Sequence, residues 1–335
     1  LVLVFFPVPE TGEAQAASKP SSFRYTRIFY YQEGKLARAS LFTYPSSIDV
    51  LAPQAYSFRN GGTLSGEVKE NILAFAQKHK IKVMPLVTNR NFSQASLKAL
   101  LSNPAEEDRA IVELVTEAKE NGYWGWQFDF EQMDISYRDT YSAFVVKAAE
   151  AFKKEGLVLS VAVFAQVSEN PDDYPNDLWR RIIGVYDYAA LAQAADFVTV
   201  MAYDDPKSKG PVAGLPWVKD VLSFSLTKIP PEKISLGLGL YYWLRNDTTG
   251  KVTQIGGNEG IQNVFKKHKV GIHFSRKQQV PYIEFWSRAK PYTLWYENGN
   301  SVKRKLSLVK ENKLHGFSAW VLGLEHPSIY AVVRQ

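Results

Sequence analysis

Tyr123-Trp124-Gly125-Trp126-Gln127-Phe128-Asp129-Phe130-Glu131 decides the fold of this 335-residue chain. Side chains alternate between the two sides of a β-strand. Read as a strand, the stretch puts Gly125, Gln127, Asp129 and Glu131 on one face and Trp124, Trp126, Phe128 and Phe130 on the other. An ordinary half-buried strand turns scattered polar residues to water. A polar face that ends in paired acids, backed by an aromatic face, fits a strand whose polar side lines a closed barrel and whose aromatic side packs under helices. Two carboxylates two residues apart on one face have Cα atoms roughly 6–7 Å apart at the usual strand rise. Like charges that close push one pKa upward, which suits a general acid near neutral pH. A lone Asp-x-Glu is more often a solvated pair at a strand end; the aromatic setting and the rest of the chain turn the reading toward catalysis.

Strand-like and helix-like blocks alternate on both sides of this stretch. Upstream, residues 39–44 and 50–58 read as strands, 66–79 as a helix, 82–88 as a strand, and 93–101 and 106–121 as helices. Downstream, 139–154 reads as a helix ended by Gly156, 157–165 as a buried strand, 188–195 as helical and 196–203 as a strand. Then come a helix at 218–227, a strand at 233–242, a helix at 301–312 and a strand at 315–324. Alternation of this kind argues for an α/β protein with a parallel sheet. Eight such strands argue for a (β/α)8 TIM barrel, and no glycine-rich phosphate loop follows the first strand to support a dinucleotide-binding sheet. The rhythm breaks once, at residues 243–300, which are expected to form an insertion subdomain between strands seven and eight.

Composition narrows the function classes. The chain has no cysteine, so disulfides and thiolate metal sites are excluded, and its five histidines (His79, His268, His273, His315 and His326) lack metal-ligand spacing. No metal and no cofactor are expected. The net charge of +6 is modest and could help approach to an anionic polymer such as a cell wall, but no basic stripe with interleaved aromatics marks a nucleic-acid binder. Residues 1–8 (LVLVFFPV) are too short an apolar run to span a bilayer. With the A-x-A pattern at 14–16 they resemble the tail of a secretory signal peptide, so residues 1–20 are expected to be a leader remnant or a disordered tail, and 21–335 the barrel.

In a (β/α)8 barrel the active site forms at the C-terminal ends of the strands. Glu131 ends strand four, Tyr203 and Asp204 end strand six, and Trp320 lies in strand eight. These residues bring an acid pair, a phenol with a further carboxylate, and an indole to one mouth.

The same residues resemble glycoside hydrolase family 18. Residues 125–131 look like its D-G-x-D-x-D-x-E signature, Met201-Ala202-Tyr203-Asp204 its M-x-Y-D, and Gly316-Phe317-Ser318-Ala319-Trp320 its last strand. Residues 156–163, Pro281-Tyr282 and 293–324 are similar to the bacterial branch with spore-cortex-lytic and germination-type N-acetylglucosaminidases. Trp124 stands where the family's first Asp would be and Gln127 where the second would be. The resemblance implies that Glu131 protonates the glycosidic oxygen, that Asp129 orients and stabilises the substrate's acetamido group, and that Tyr203 donates to its oxygen. Asp204 would bind the sugar and Trp320 would form the floor. Gln127, Tyr242, Trp243 and Trp295 are further candidates for substrate binding, the two tryptophans as platforms on the insertion. The expected protein is a secreted or envelope-bound monomeric glycosidase acting on β-1,4-linked N-acetylglucosamine in peptidoglycan or chitin-like polymers. An endo-β-N-acetylglucosaminidase of N-glycans and a non-catalytic sugar-binding barrel are the alternatives.

Overall fold

A computed structural model of the chain describes residues 23–59 and 62–334, so the expected leader at residues 1–20 lies outside the described residues. Eight parallel strands close on themselves: β1 (Thr26–Tyr31), β2 (Val50–Phe58), β3 (Leu86–Asn89), β4 (Gly125–Asp129), β5 (Val158–Phe164), β6 (Phe197–Met201), β7 (Ile234–Gly239) and β8 (Gly316–Trp320). Each pairs with the next and β8 pairs with β1, which makes the expected (β/α)8 barrel. Around it lie α1 (Lys35–Thr43), α2 (Glu70–Lys78), α3 (Gln94–Leu101), α4 (Pro104–Asn121), α5 (Arg138–Lys154), α6 (Tyr188–Ala194) and α7 (Leu215–Leu226). Helix α8 (Asn258–Lys267) belongs to the insertion, and α9 (Gly299–Glu311) returns to the barrel. Among the described residues, no helix is long and apolar enough to cross a membrane.

The two faces of β4 explain how the strand is held. Inside the barrel, Gln127 is wholly enclosed. Its Oε1 accepts from the Tyr30 hydroxyl at 2.6 Å, and its Nε2 donates to Ser160 Oγ at 2.9 Å and Thr199 Oγ1 at 3.0 Å. Ser318 Oγ continues the network, 3.0 Å from Thr199 Oγ1 and 2.7 Å from Ser235 Oγ. A buried amide is costly unless its hydrogen-bonding groups are paired, and here they are. Gly125 lets β4 approach β5, because a Cβ there would sit 1.9 Å from the Val158 carbonyl oxygen. Outside the barrel, Phe128 packs on Phe144 and Phe152 of α5, with ring centroids 5.6 and 6.1 Å apart, and the Trp126 indole donates to the Leu114 carbonyl of α4 at 2.9 Å.

Trp124 departs from its expected place among those aromatics. It lies just before β4, facing Phe197 with the Lys82 ammonium 4.1 Å above its ring, away from the mouth where β4 ends.

The first strand is a correction. Residues 39–44 lie mostly within α1, whose buried residues are Ala37 and Leu41, four apart as a helix requires; the true first strand is β1. Strand one reads poorly because four of its six residues, Ile28 to Tyr31, are buried in succession and leave no alternation. The third strand is split into Lys82–Val83 and β3, with Pro85 between them unable to donate a backbone hydrogen bond.

Residues 243–300, apart from the start of α9, form a separate layer. Strands Tyr242–Asn246, Val252–Gly256, His273–Ser275, Val280–Ser287 and Lys290–Trp295 make a five-stranded antiparallel sheet. Ile261 of α8 packs with Tyr242, Ile283 and Leu294 in its core. Arg245 ties the layer to the loop after β6, donating through Nε to the Gly210 carbonyl at 2.7 Å and through Nη2 to that of Ser208 at 2.8 Å.

Candidate active site

The C-terminal ends of the strands surround a cavity of about 280 Å³. Asp129 is the last residue of β4, and Glu131 follows two residues on. Tyr203 and Asp204 follow β6, Tyr241 follows β7 and Trp320 closes β8; all six line the cavity. Tyr30 of β1 adds a wall, its ring 5.2 Å from that of Trp320. Asp204 turns the chain at φ 60°, a left-handed conformation that Asp tolerates better than most residues.

Glu131 is gripped through its backbone. The Asn89 side chain at the end of β3 accepts from the Glu131 amide at 3.0 Å and donates to the Glu131 carbonyl at 2.9 Å. The same Nδ2 reaches the Ser93 carbonyl at 3.1 Å, and the Tyr186 hydroxyl donates to the Phe130 carbonyl at 2.7 Å. The Glu131 peptide groups are therefore fixed while its carboxyl stays free in the cavity.

Three carboxyls share this space, and no lysine or arginine among the described residues lines it. Burial raises the Asp129 carboxyl above its ordinary range. Burial, then the Asp129 and Asp204 carboxylates, raises Glu131. Burial also raises Asp204, partly offset by the Tyr241 hydroxyl, which donates to Asp204 Oδ1 at 2.5 Å. Asp129 Oδ1 is buried and accepts no hydrogen bond, so the cavity holds a strong acceptor with unused capacity. The arrangement can keep a proton on one carboxyl near neutral pH while another is charged.

The raised values have a stability consequence. A carboxyl raised in the folded state and ordinary when unfolded, about 3.9 for Asp, favours the folded protein below about pH 4 and loses that advantage as pH rises through the folded value. Asp129→Asn should therefore raise the thermal midpoint relative to the wild type at pH 8, with the gain vanishing toward pH 4. Melting curves across that range check it; a gain independent of pH would show that burial of the charge is not the cause.

Of the residues singled out from the sequence, Asp129, Glu131, Tyr203, Asp204 and Trp320 line this one cavity, and the others lie elsewhere. Gln127 is enclosed below the cavity and cannot touch a ligand there, since the barrel interior consumes its hydrogen bonds. Tyr242 points into the insertion, and its neighbour Tyr241 holds the expected place. Trp243 and Trp295 pair across neighbouring insertion strands and do not line the cavity; Trp295 stacks on Tyr282 at 4.7 Å. Tyr241 and Asn89 were missed. The doubled tyrosine was the available signal for the first, and nothing short of the fold marks the second.

The family model for glycosyl hydrolases family 18 matches residues 27–325. The chain is 29% identical to the uncharacterized glycosylase YvbX of Bacillus subtilis, over 97% of this chain and 93% of that protein. It is 28% identical to the cortical fragment-lytic enzyme of Bacillus subtilis, over 82% of this chain, and spans only 64% of that relative's length. Among solved structures, the Bacillus megaterium spore cortex-lytic enzyme SleL superposes with a TM-score of 0.83 at 24% identity, covering 94% of this chain and 74% of that one. A chitinase from Chromobacterium violaceum superposes with a TM-score of 0.82 at 24% identity, covering 93% and 98%. The family model is matched from β1 to beyond β8, so the chain is a glycosidase and belongs to glycosyl hydrolases family 18.

Proposed function

We propose that this glycosidase hydrolyses β-1,4-linked N-acetylglucosamine in peptidoglycan, outside the cytoplasm, by retaining catalysis in which the substrate's own acetamido group is the nucleophile. The observation that carries the reading is the clustering of three carboxyls with raised pKa values, Asp129 buried, Glu131 half-buried and Asp204 at the rim, beside Tyr203 and Trp320 in one cavity. Glu131 is the general acid, Asp129 holds and stabilises the acetamido group, and Tyr203 donates to its oxygen. Asp204 binds sugar hydroxyls, with Tyr241 holding its carboxylate, and Trp320 supplies the flat floor. Peptidoglycan is favoured over chitin because similar curated proteins are named cortical fragment-lytic enzymes. Parallel turnover assays on peptidoglycan, chitin oligomers and an N-glycosylated protein test the reading. Release of reducing ends chiefly from peptidoglycan supports it, and cleavage of the glycoprotein alone would overturn it.

Two consequences arise here. Glu131 must be protonated to work as an acid, so kcat/KM should fall as pH rises through its elevated pKa. Asn89 acts as a positioning residue through its grip on the Glu131 backbone. Because misplacement by about 1 Å can cost about 10²-fold, Asn89→Ala should lower kcat by up to that factor with little change in KM. Asn89→Asp keeps the acceptor for the Glu131 amide but sets a carboxylate oxygen, which cannot donate, against the Glu131 and Ser93 carbonyls, so it should recover none of the loss. Equal damage to KM and to the melting temperature would show that Asn89 only supports the fold.

A further inference from the structure

The positive charge of this protein is not spread evenly. Residues 243–300 contain nine Lys and Arg against four Asp and Glu, a net +5 of the chain's +6. Arg245 is buried and spent on backbone carbonyls, of Ser208, Gly210 and Gly250. The other eight, Lys251, Lys266, Lys267, Lys269, Arg276, Lys277, Arg288 and Lys290, are all exposed. None of them joins an ion pair among the described residues. Favourable interaction with the C-terminal end of α8 accounts for Lys266 and Lys267 at most, since only they lie in its last turn.

Part of this charge rims a cleft. Between α8 and the insertion sheet lies a second cavity, of about 450 Å³, walled by Tyr242, Phe285 and Tyr292, with Lys267, His268 and Arg288 among its lining residues. Its aromatic wall is built closely. The Tyr242 ring lies between Gly256 and Gly260, where added Cβ atoms would come within 2.9 and 2.4 Å of its hydroxyl. The His268 ring lies 4.7 Å from that of Phe285. Tyr242 directly follows Tyr241, so consecutive residues line this cleft and the catalytic cavity.

We infer that the insertion cleft is a second, non-catalytic binding site that takes the carboxylate-bearing peptide side chains of a peptidoglycan strand. The inference rests on peptidoglycan being the substrate. Aromatic walls suit the apolar parts of such a peptide, and Lys267 and Arg288 suit its carboxylates, while the surrounding cations raise the local concentration of the anionic polymer. Attraction of this kind between exposed charges weakens with salt, because the Debye length falls from about 30 Å at 0.01 M to about 10 Å at 0.1 M.

The test is co-sedimentation with purified sacculi at 4 °C and two salt concentrations, with full-length Glu131→Gln so that the polymer stays intact. The comparison protein also carries Lys267→Glu and Arg288→Glu, and melting curves for both confirm folding. Charge reversal should weaken binding at least tenfold at low salt and flatten the salt dependence. Sacculi with their carboxyls blocked as amides should bind the parent protein as weakly as native sacculi bind the reversed one. Sacculi stripped of phosphate polymers should bind undiminished. Unchanged binding after charge reversal, unchanged binding to blocked sacculi, or loss of binding to stripped sacculi would each overturn the assignment. Wild-type digestion of sacculi is scored separately. If digestion is absent while charge-sensitive binding persists, the catalytic reading fails and the cleft stands; if digestion is normal with charge-insensitive binding, the cleft fails alone.

Discussion

Glu131→Gln should reduce hydrolysis by about 10²–10⁴-fold or more while the affinity for an oligosaccharide stays close to that of the wild type. The substitution preserves the side chain's size and removes what the proposed general acid must supply, a transferable proton. The backbone around the residue is fixed by Asn89 and Tyr186, so the variant carboxamide should occupy the same position. Removing a half-buried carboxyl whose pKa is raised should also not destabilise the protein at neutral pH, which separates a catalytic loss from a folding one. Single-turnover rates and equilibrium binding with the same oligosaccharide measure the two effects. Near-wild-type turnover would remove Glu131 from the role of acid and with it the organising idea of the mouth.

How much of this was legible in the sequence follows from which residues have one reason to be where they are. Asp129 and Glu131 were legible because a strand's alternation and a barrel's polarity both demand the same face for them. Trp126, Phe128 and Phe130 were legible for the opposite face for the same reason. Gln127 was ambiguous, since a polar residue on the inner face can serve either the ligand or the barrel's own interior. Its three hydrogen bonds to Tyr30, Ser160 and Thr199 come from three other strands, and no local pattern announces them. Tyr241 and Tyr242 differ by one position, and in extended chain one position reverses the side; the strand end could not be located finely enough to choose. The first strand was misplaced because both faces of β1 are buried, while Ala37 and Leu41 in α1 left an apolar run that imitates a strand. The insertion was visible as a break in rhythm, but its antiparallel register, and hence its second cleft, depends on pairings between segments far apart in sequence.

The largest expected effect of substrate chemistry is that sugars lacking the 2-acetamido group will not be cleaved, and that the first-formed product will retain its anomeric configuration. Glycosidases that supply their own nucleophile place two carboxyls on opposite sides of the scissile bond, about 5–5.5 Å apart, and inverting enzymes place them about 6.5–9.5 Å apart to admit water. Here Asp129 and Glu131 leave the same strand two residues apart and reach the cavity from one side. If Glu131 protonates the leaving oxygen, Asp129 is badly placed to attack the anomeric carbon behind it. It is well placed to accept the N–H of an acetamido group, and its Oδ1 is buried with no other hydrogen bond to give up. As the acetamido oxygen closes on the anomeric carbon, positive charge develops at the nitrogen, and a buried carboxylate beside it stabilises that charge more strongly than water would. Tyr203 arrives from a different strand and can hold the attacking oxygen in line. Asp129→Asn should accordingly lower kcat by about 10²–10³-fold, the usual cost of removing one such electrostatic contact. A thiazoline analogue of the cyclised intermediate should inhibit the wild type. Proton NMR of the first anomer released decides the stereochemistry, and deacetylated or glucose-based oligomers decide the nucleophile. Release of the inverted anomer, or ready cleavage of a polymer without acetamido groups, would show that a water or an enzyme carboxylate attacks instead.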